Sequence, residues 1–260
     1  MAGGWAKVAN YSVKQKFMAV ILGGLLLVLL TSLGFWQLRR ADEKQRIAEL
    51  WEARKVAQPL DNAGLLASQP AWQDTRYQPV LLSGILDEAH GFLLDNQVHA
   101  GRVGYHVLVP LQLEGSDVHV IVNRGWVPAP GDRSRLPQVP LSGGVPISIR
   151  GQIAPFFRVG LRLKGDDTPG DGWPSRVQVV EASALALKLG YPVLPVQILE
   201  AGGGATEGYV RDWQPGTSGA EKSRAYAVQW FSLAAMTLAL LIWYGFVKKS
   251  GSGTGRDSKY

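Results

Sequence analysis

Two long uncharged segments, one near each end of the chain, constrain its fold more than any other feature of the sequence. The first covers residues 17–38 and the second covers residues 225–247. As helices rising about 1.5 Å per residue, they would be roughly 33–35 Å long, enough to cross the hydrocarbon core of a bilayer. Charge-free runs of this length are rare in soluble domains, so the sequence predicts two transmembrane helices that flank one large domain.

The first segment has to be compared with a cleaved signal peptide. Its apolar part is longer than the roughly 7–15 residues that signal peptides use. No small-residue cleavage site of the A-x-A type follows it before Arg39 and Arg40. We therefore expect this segment to be an uncleaved membrane anchor.

The net charge of +6 is concentrated at the ends of the chain rather than in the domain between the two segments. Residues 56–220 carry 12 basic and 15 acidic side chains, a net charge of −3, and the remainder carries a net charge of +9. Basic residues that flank membrane segments suit anionic lipid headgroups. The central domain has no basic stripe that could follow a phosphate backbone, so the sequence favours a lipid bilayer as partner and argues against nucleic acid.

Basic residues near the two segments give a divided indication of orientation. Two spans place both termini on one side, and the lysines of both terminal segments favour the cytoplasm for that side. Four basic residues soon after the first segment oppose this, but long loops cross membranes largely regardless of charge. The expected organisation is a cytoplasmic N-terminus (1–16), a first transmembrane helix (17–38), a juxtamembrane helix and connection (39–76), an extracytoplasmic α+β domain (77–220), a second transmembrane helix (225–247) and a cytoplasmic tail (248–260).

The central residues predict an α+β domain whose sheet is mainly antiparallel. Residues 41–55 have apolar side chains at helical spacing and are expected to continue the first helix out of the membrane. Residues 104–115 and 117–128 predict a hairpin, and residues 176–190 predict a strand followed by a helix that ends at Gly190. Further strand-like runs cover residues 77–86, 91–97, 145–155 and 191–200. The sequence leaves open whether these strands close into a barrel-like sheet.

Motifs that would identify an enzyme are missing from the sequence. The glycine-rich residues 202–208 match neither the P-loop nor the dinucleotide-binding pattern, and we interpret them as a flexible surface loop. There is no G-x-S-x-G or H-E-x-x-H motif and no cysteine, so we predict neither a catalytic residue nor a bound metal. A convergent Ser-His-Asp site or a metal site stays open, because four histidines lie in the central domain: His90, His99, His106 and His119.

Residues 123–128, with the sequence NRGWVP, are the most specific candidate in the central domain. Gly125 indicates a backbone position with positive φ or a close approach by another part of the chain. Trp126 offers a large rigid surface, and the Arg124 guanidinium offers a planar fork of donors. Together they are candidates for binding a carboxylate or propionate of a partner. A strand end with a core tryptophan and a solvated arginine explains the same residues equally well.

Aromatic and amide side chains accompany the two apolar segments. Trp36, Tyr226 and Trp230 lie near segment ends, where amphipathic rings anchor helices at the depth of lipid headgroups. Gln37 and Gln229 carry amides that seek a hydrogen-bond partner inside a bilayer, and since both lie near the same interface, that partner could be the other amide or nearby water. Four small residues are expected to let the two helices approach closely: Gly23, Gly24, Ala227 and Ala234.

Five motifs in sequence resemble the surfeit-locus-one (Shy1-like) family of cytochrome c oxidase assembly factors. They are GFWQLRRADEK (34–44), YQPVLLSG (77–84), VGYHVLVPL (103–111), NRGWVP (123–128) and YAVQWF (226–231). The resemblance extends from about residue 17 to residue 247. It implies a bacterial inner-membrane protein with two spans and a periplasmic domain. It also implies a non-enzymatic role in maturing the haem–copper subunit of a terminal oxidase, at the stage of haem a insertion.

The resemblance also implies site residues and partners. Tyr226, Gln229 and Trp230 of the YAVQWF motif become candidates for contact with the haem macrocycle. Trp36, Gln37, Arg124 and Trp126 become candidates for contact with protein partners, namely the large oxidase subunit and other assembly factors.

The sequence departs from the family at one informative position. Relatives commonly carry a histidine a few residues before the YAVQWF motif, where this chain has Ser223. Serine is not a usual axial ligand of haem iron, and neither apolar segment contains a histidine. We therefore expect no tightly bound cofactor, with haem a as a transient cargo.

Two other functions stay open from the sequence. A membrane-anchored periplasmic hydrolase would use one of the four histidines, although no serine has the local sequence of a nucleophile. A purely structural subunit associated with the oxidase would share the two membrane anchors and need no site chemistry.

Overall fold

The computed structural model describes residues 13–69, 71–132, 135–137, 144–157, 169–202, 208–215 and 219–250. The chain divides into two compact units, Met1–Ala48 with Pro215–Tyr260, and Glu49–Gln214. The surface loop expected at residues 202–208 lies almost wholly outside the described residues, as do most of the two expected cytoplasmic ends.

The first unit contains two long helices, α1 (Val13–Arg54) and the C-terminal helix (Ala220–Ser250). Both are long and apolar enough to cross a membrane, with a mean hydropathy of 2.4 and 1.7 in their most apolar stretches. Only 11% of each stretch is buried inside the protein, unlike the core helix of a soluble domain. The two predicted spans are therefore present as helices, and α1 continues without a break through residues 41–54, as predicted.

Glycine residues let α1 and the C-terminal helix pack closely. A Cβ atom added to Gly23 would lie 2.6 Å from Leu241 Cδ2, and one added to Gly34 would lie 2.6 Å from the Phe231 ring. The prediction that Gly24 also contributes is wrong, because a Cβ atom there would meet nothing within 4 Å. The two small residues predicted on the second helix are buried, as expected: Ala227 and Ala234.

The second unit is built on one seven-stranded sheet. Its strands are β1 (Pro79–Leu86), β2 (Phe92–His99), β3 (Arg102–Leu113), β4 (His119–Pro128), β5 (Pro146–Ala154), β6 (Ser175–Val177) and β7 (Val193–Glu200). Their order in the sheet is β1-β5-β7-β4-β3-β2-β6, and only the β2–β6 and β4–β7 pairs are parallel. The α+β class and the mainly antiparallel sheet are confirmed, as is the β3–β4 hairpin.

Five of the strands form a continuous circuit of hydrogen-bonded pairs. Strand β1 pairs with β5 along most of its length and also with β3 over residues 84–86. Strands β5, β7, β4 and β3 pair in turn, so the circuit returns to β1. Side chains from all five strands meet in one buried cluster, which includes Leu82, Tyr105, Val122, Ile149 and Ile198.

Three helices complete the unit's described secondary structure around the sheet: α2 (Asn62–Ala67), a 3₁₀ turn (Glu88–His90) and α3 (Ala182–Leu189); the C-terminal helix of the first unit is α4. Helix α3 ends at Gly190 with a φ of 79°, as its sequence predicts. It packs Leu185 into a second buried cluster with Phe92 and Ile121. Sequence reasoning missed α2, although its N-cap Asp61, which accepts from Gly64 N at 2.8 Å, is a recognisable start signal.

Candidate functional site

Ser223, which precedes the YAVQWF motif, lies between the two helices of the first unit. Ser223 is 4% exposed in the first turn of α4. The Lys44 ammonium of α1 donates to Ser223 Oγ at 3.4 Å and to the Gly219 carbonyl oxygen at 3.3 Å. The serine hydroxyl therefore joins the two helices through a lysine instead of facing outward.

The three candidates for haem contact follow Ser223 along α4 on adjoining rows. Tyr226 is 52% exposed, Gln229 is exposed, and Trp230 is half-buried. Their i, i+3 and i+4 spacing places them on one side of the helix. Of the three side chains, Trp230 therefore lies nearest to the contact with α1, and Tyr226 and Gln229 lie on the exposed surface of α4.

The two candidates for partner contact on α1 have different exposure. Trp36 is 46% exposed, and the Arg40 guanidinium lies 5.7 Å from the centre of its ring. Gln37 is half-buried. Trp36 is therefore open to a partner or to lipid headgroups, with a cation held beside its ring.

In the second unit, Arg124 is part of a buried network of charges. It is 6% exposed, its Nε donates to Glu200 Oε2 at 2.9 Å, and its Nη1 lies 3.4 Å from Glu88 Oε1. The expectation of a solvated arginine is wrong, because the folded sheet brings two carboxylates to its guanidinium. Donors that we assigned to a partner are engaged by acidic residues of the same unit.

Arg211 extends the network and makes Glu200 its centre. Its Nη2 donates to Glu200 Oε2 at 2.9 Å, and its Nε donates to the Arg124 carbonyl oxygen at 2.7 Å. The guanidinium groups of Arg124 and Arg211 lie 5.2 and 5.5 Å from the centre of the Tyr209 ring. Burial raises the pKa of the Tyr209 hydroxyl, while the neighbouring Arg124 opposes this change. Glu88, Glu200, Tyr209 and Arg211 had no signal in the sequence that joined them to Arg124.

Gly125 has both properties that the sequence predicted. Its φ is 127°, and a Cβ atom there would lie 2.8 Å from the Val210 carbonyl oxygen. The approach is fixed by a reciprocal pair of hydrogen bonds between Trp126 and Val210, with N–O distances of 2.8 and 2.9 Å. Trp126 is 5% exposed and donates from Nε1 to the Gln97 carbonyl oxygen at 2.9 Å. Trp126 is thus a core residue, the second of the two interpretations that its sequence allowed.

Two of the four histidines are held in structural contacts. His106 Nδ1 lies 3.1 Å from Asn123 Oδ1, and its ring stacks on Trp213 at 5.4 Å. His119 stacks on the Tyr191 ring at a centroid distance of 3.8 Å. Burial lowers the pKa of both imidazoles, which favours their neutral form.

His90 belongs to a second polar cluster at the surface. Its Nδ1 is 2.7 Å from Asp87 Oδ2, and the Tyr191 hydroxyl donates to the same oxygen at 2.6 Å. Burial raises the pKa of Tyr191, and the hydrogen bond to Asp87 adds to this effect. Within the described residues, no histidine is hydrogen-bonded to a serine or threonine, and no group of three or more acidic or histidine side chains could hold a metal ion.

These features define a class of protein. It has an α+β unit, in which acidic residues of the same unit pair with the buried arginines at one end of the sheet, and two helices apolar enough to span a membrane. The model of the SURF1 family matches residues 24–235, so the chain belongs to the SURF1 family. This confirms the resemblance seen in the five motifs. The family consists of assembly factors associated with cytochrome c oxidase and is not known for enzymes. No curated protein matches the chain.

Proposed function

We propose that this protein is an assembly factor for a haem–copper cytochrome c oxidase, and that it assists insertion of haem a into the large catalytic subunit or stabilises that subunit. One observation carries the proposal: the family match covers residues 24–235, including most of α1, the whole sheet and the first half of α4. The large subunit and other assembly factors are the expected partners.

The proposal places the protein in the bacterial inner membrane with both termini in the cytoplasm and the second unit in the periplasm. Two apolar helices separated by one folded unit support this arrangement. The spans would keep the bounds 17–38 and 225–247, with the periplasmic domain at residues 77–220. The circuit of five paired strands supports a barrel-like form for that domain.

We propose haem a as a transient cargo without a strong protein ligand. Ser223 is enclosed by Lys44 and buried, so it offers no iron ligand to a haem outside the helix pair. The exposed part of Tyr226, with Gln229 and Trp230 on either side, is the proposed contact for the macrocycle. Trp36 and Gln37 are proposed partner contacts, whereas partner binding by Arg124 and Trp126 would have to displace their internal hydrogen bonds.

Deletion of the gene tests the proposed function. We expect lower haem a occupancy and lower activity of the oxidase, with haem a synthesis intact because no part of the proposed role makes haem. Difference spectra of membranes measure occupancy, extraction of total haem measures synthesis, and a plasmid copy should restore both oxidase readouts. Normal occupancy and activity in a strain without a related gene would contradict the proposal.

The visible spectrum of the purified protein tests the cargo. Protein taken from cells that make haem a should show no stoichiometric Soret band, because neither span supplies a histidine. Ser223→His is the informative variant, since it restores the residue common in relatives. A stoichiometric band in the unchanged protein would show that haem binds tightly through another ligand.

A further inference from the structure

Helix α4 carries one row of residues that faces inward. Seven positions along it are buried or half-buried, and the steps between them alternate between four and three residues: Ser223, Ala227, Trp230, Ala234, Thr237, Leu241 and Tyr244. Two contacts place this row against α1, one from Ser223 to Lys44 and one from Leu241 to Gly23. Such alternation is the spacing by which one helix packs along another at a shallow left-handed crossing.

A second row with the same alternation lies on the opposite side of α4. It begins two positions after Ser223, which is about 200° around a helix of 3.6 residues per turn. We call it the outer row, and all six of its side chains are exposed: Ala225, Gln229, Ser232, Met236, Ala239 and Trp243. The outer row therefore has the spacing of a helix-packing surface, but no helix among the described residues packs against it.

The composition of the outer row differs from that of a surface facing lipid. Four of its six residues are small or polar, as in the row that packs on α1. The exposed positions that flank it on α4 instead include large apolar side chains: Val228, Leu233, Leu238, Leu240 and Ile242. Helix–helix contacts in membranes are enriched in small and hydrogen-bonding residues. The outer row thus differs in composition from the rest of the exposed surface of α4.

Polar atoms in the outer row have no hydrogen-bond partner in the described part of the chain. Thr237, on the inner row, satisfies its hydroxyl by donating to the Leu233 carbonyl oxygen at 2.8 Å. Among the described residues, neither the Gln229 amide nor the Ser232 hydroxyl makes such a bond. An amide with two donors and an acceptor is costly within a bilayer unless another protein supplies the complementary groups.

We propose that the outer row packs against a transmembrane helix of another membrane protein. That helix would present small residues along the contact and a hydrogen-bonding side chain at the depth of Gln229. The inference rests on the proposed function in one respect, which is that the large oxidase subunit carries this helix. A lipid coat or a second copy of this chain would be the other occupants of the surface.

Site-specific photocrosslinking tests which of these occupies the outer row. A benzoylphenylalanine residue replaces Ser232 in one variant and Ser32 in another, since both serines are exposed but Ser32 lies on the aliphatic side of α1. Irradiated membranes should give an adduct with the large oxidase subunit from position 232 and none from position 32. Adducts with lipid alone, with a second copy of this chain, or equally from both positions would overturn the proposal.

A matched pair of variants tests the energetics. Ser232→Leu with Ala239→Leu keeps α4 apolar and helical, replaces a polar and a small side chain of the outer row and leaves the proposed haem contacts unchanged, and Ser32→Leu replaces an exposed serine on α1 in the same way. Loss of interhelical hydrogen bonds worth about 0.6–2 kcal/mol corresponds to about a 3- to 30-fold lower recovery of the oxidase subunit with the tagged protein. Equal amounts of the variants in membranes verify that they are folded and inserted. Unchanged recovery of the oxidase subunit with the double variant would show that the outer row is not a docking surface.

Two outcomes distinguish failure of the proposed function from failure of the outer row as a docking surface. If gene deletion leaves oxidase haem unchanged, the proposed function fails whatever the outer row contacts. If deletion lowers oxidase haem but the double variant supports the oxidase as well as the unchanged protein does, the proposed function stands and the outer row is not its docking surface.

Discussion

Glu200 is the residue on which the charge network of the second unit depends. Its Oε2 atom accepts from Arg124 Nε and from Arg211 Nη2, each at 2.9 Å. Both arginine side chains are at most 8% exposed. Removal of this carboxylate would leave Arg124 with Glu88 as an acidic partner and would break the ion pair between Glu200 and Arg211. We infer that the network serves the stability of the sheet end.

Glu200→Gln is expected to lower the free energy of unfolding by about 3–5 kcal/mol, because it removes the shared carboxylate of two buried ion pairs. Denaturant unfolding of the detergent-purified protein, followed by tryptophan fluorescence, measures the change. Glu114→Gln is the control, since Glu114 is exposed and belongs to no ion pair among the described residues. Equal midpoints for the two variants would show that the network contributes little.

His106 should make stability depend on pH. Burial lowers its pKa in the folded protein below the unfolded value of about 6.5, so the folded state binds fewer protons. Its contribution is fully present above pH 6.5 and declines as the pH falls, by up to about 1.4 kcal/mol per pH unit between the two pKa values. His119, whose pKa is also lowered, adds a decline of the same sign.

The measurement is the unfolding free energy between pH 7.5 and 5, compared with that of His106→Gln. The variant should show a shallower decline, whatever its stability at pH 7.5. His119→Gln should also show a shallower decline, because burial lowers the pKa of His119 in the folded protein as well. An identical slope in His106→Gln would mean that His106 does not titrate differently in the folded protein.

At the scale of elements, the two glycines of the GG pair in α1 have opposite environments. Gly23 faces Leu241 of α4, while Gly24 faces open space. The two glycines are neighbours in the sequence, so their different surroundings follow from which face of α1 packs against α4. Gly34, eleven residues after Gly23, meets the Phe231 ring at the same interface.

Gly34→Ala is therefore expected to weaken the helix pair, because its Cβ atom would lie within 3 Å of three carbon atoms of the Phe231 ring. Gly24→Ala should be neutral or stabilising by up to about 1 kcal/mol, since alanine favours a helix over glycine. Thermal unfolding of the purified protein and its level in membranes provide the comparison. If both variants behaved alike, the close approach at Gly34 would be disproved.

At the scale of the whole molecule, the second unit has the makings of an independent domain. Its main buried cluster draws only on residues from 60 to 209, all within Glu49–Gln214. A chain segment that buries its own core is expected to fold alone. The apolar helices would then serve for membrane attachment and partner contact and would not be needed to form the sheet.

Expression of residues 49–214 without either apolar segment tests this. We expect a soluble fragment with a cooperative unfolding transition, because its main buried cluster lies wholly within these residues. Circular dichroism at increasing denaturant concentration measures it, and the Glu200→Gln form of the fragment should unfold at a lower concentration. An insoluble fragment, or one with no cooperative transition, would show that the sheet needs the helices.

Most of the elements could be read from local patterns. The uncharged runs, the strand-like runs of β1 to β5 and β7, the β3–β4 turn and the end of α3 at Gly190 depend on residues close in sequence. The short helix α2 was missed because six residues give almost no periodicity. The bridging pair β1–β3, which completes the circuit of strands, joins segments about thirty residues apart and leaves no local signature.

The sequence by itself determined two apolar helices, a mainly antiparallel α+β unit between them and the family to which the chain belongs. Only the tertiary structure determined the burial and the charge partners of Arg124, which the sequence predicted to be exposed and available as a donor. Its partners Glu88 and Glu200 lie 36 and 76 residues away along the chain. A side chain's exposure and charge partners follow from which strands become neighbours, and that depends on the packing of the whole sheet.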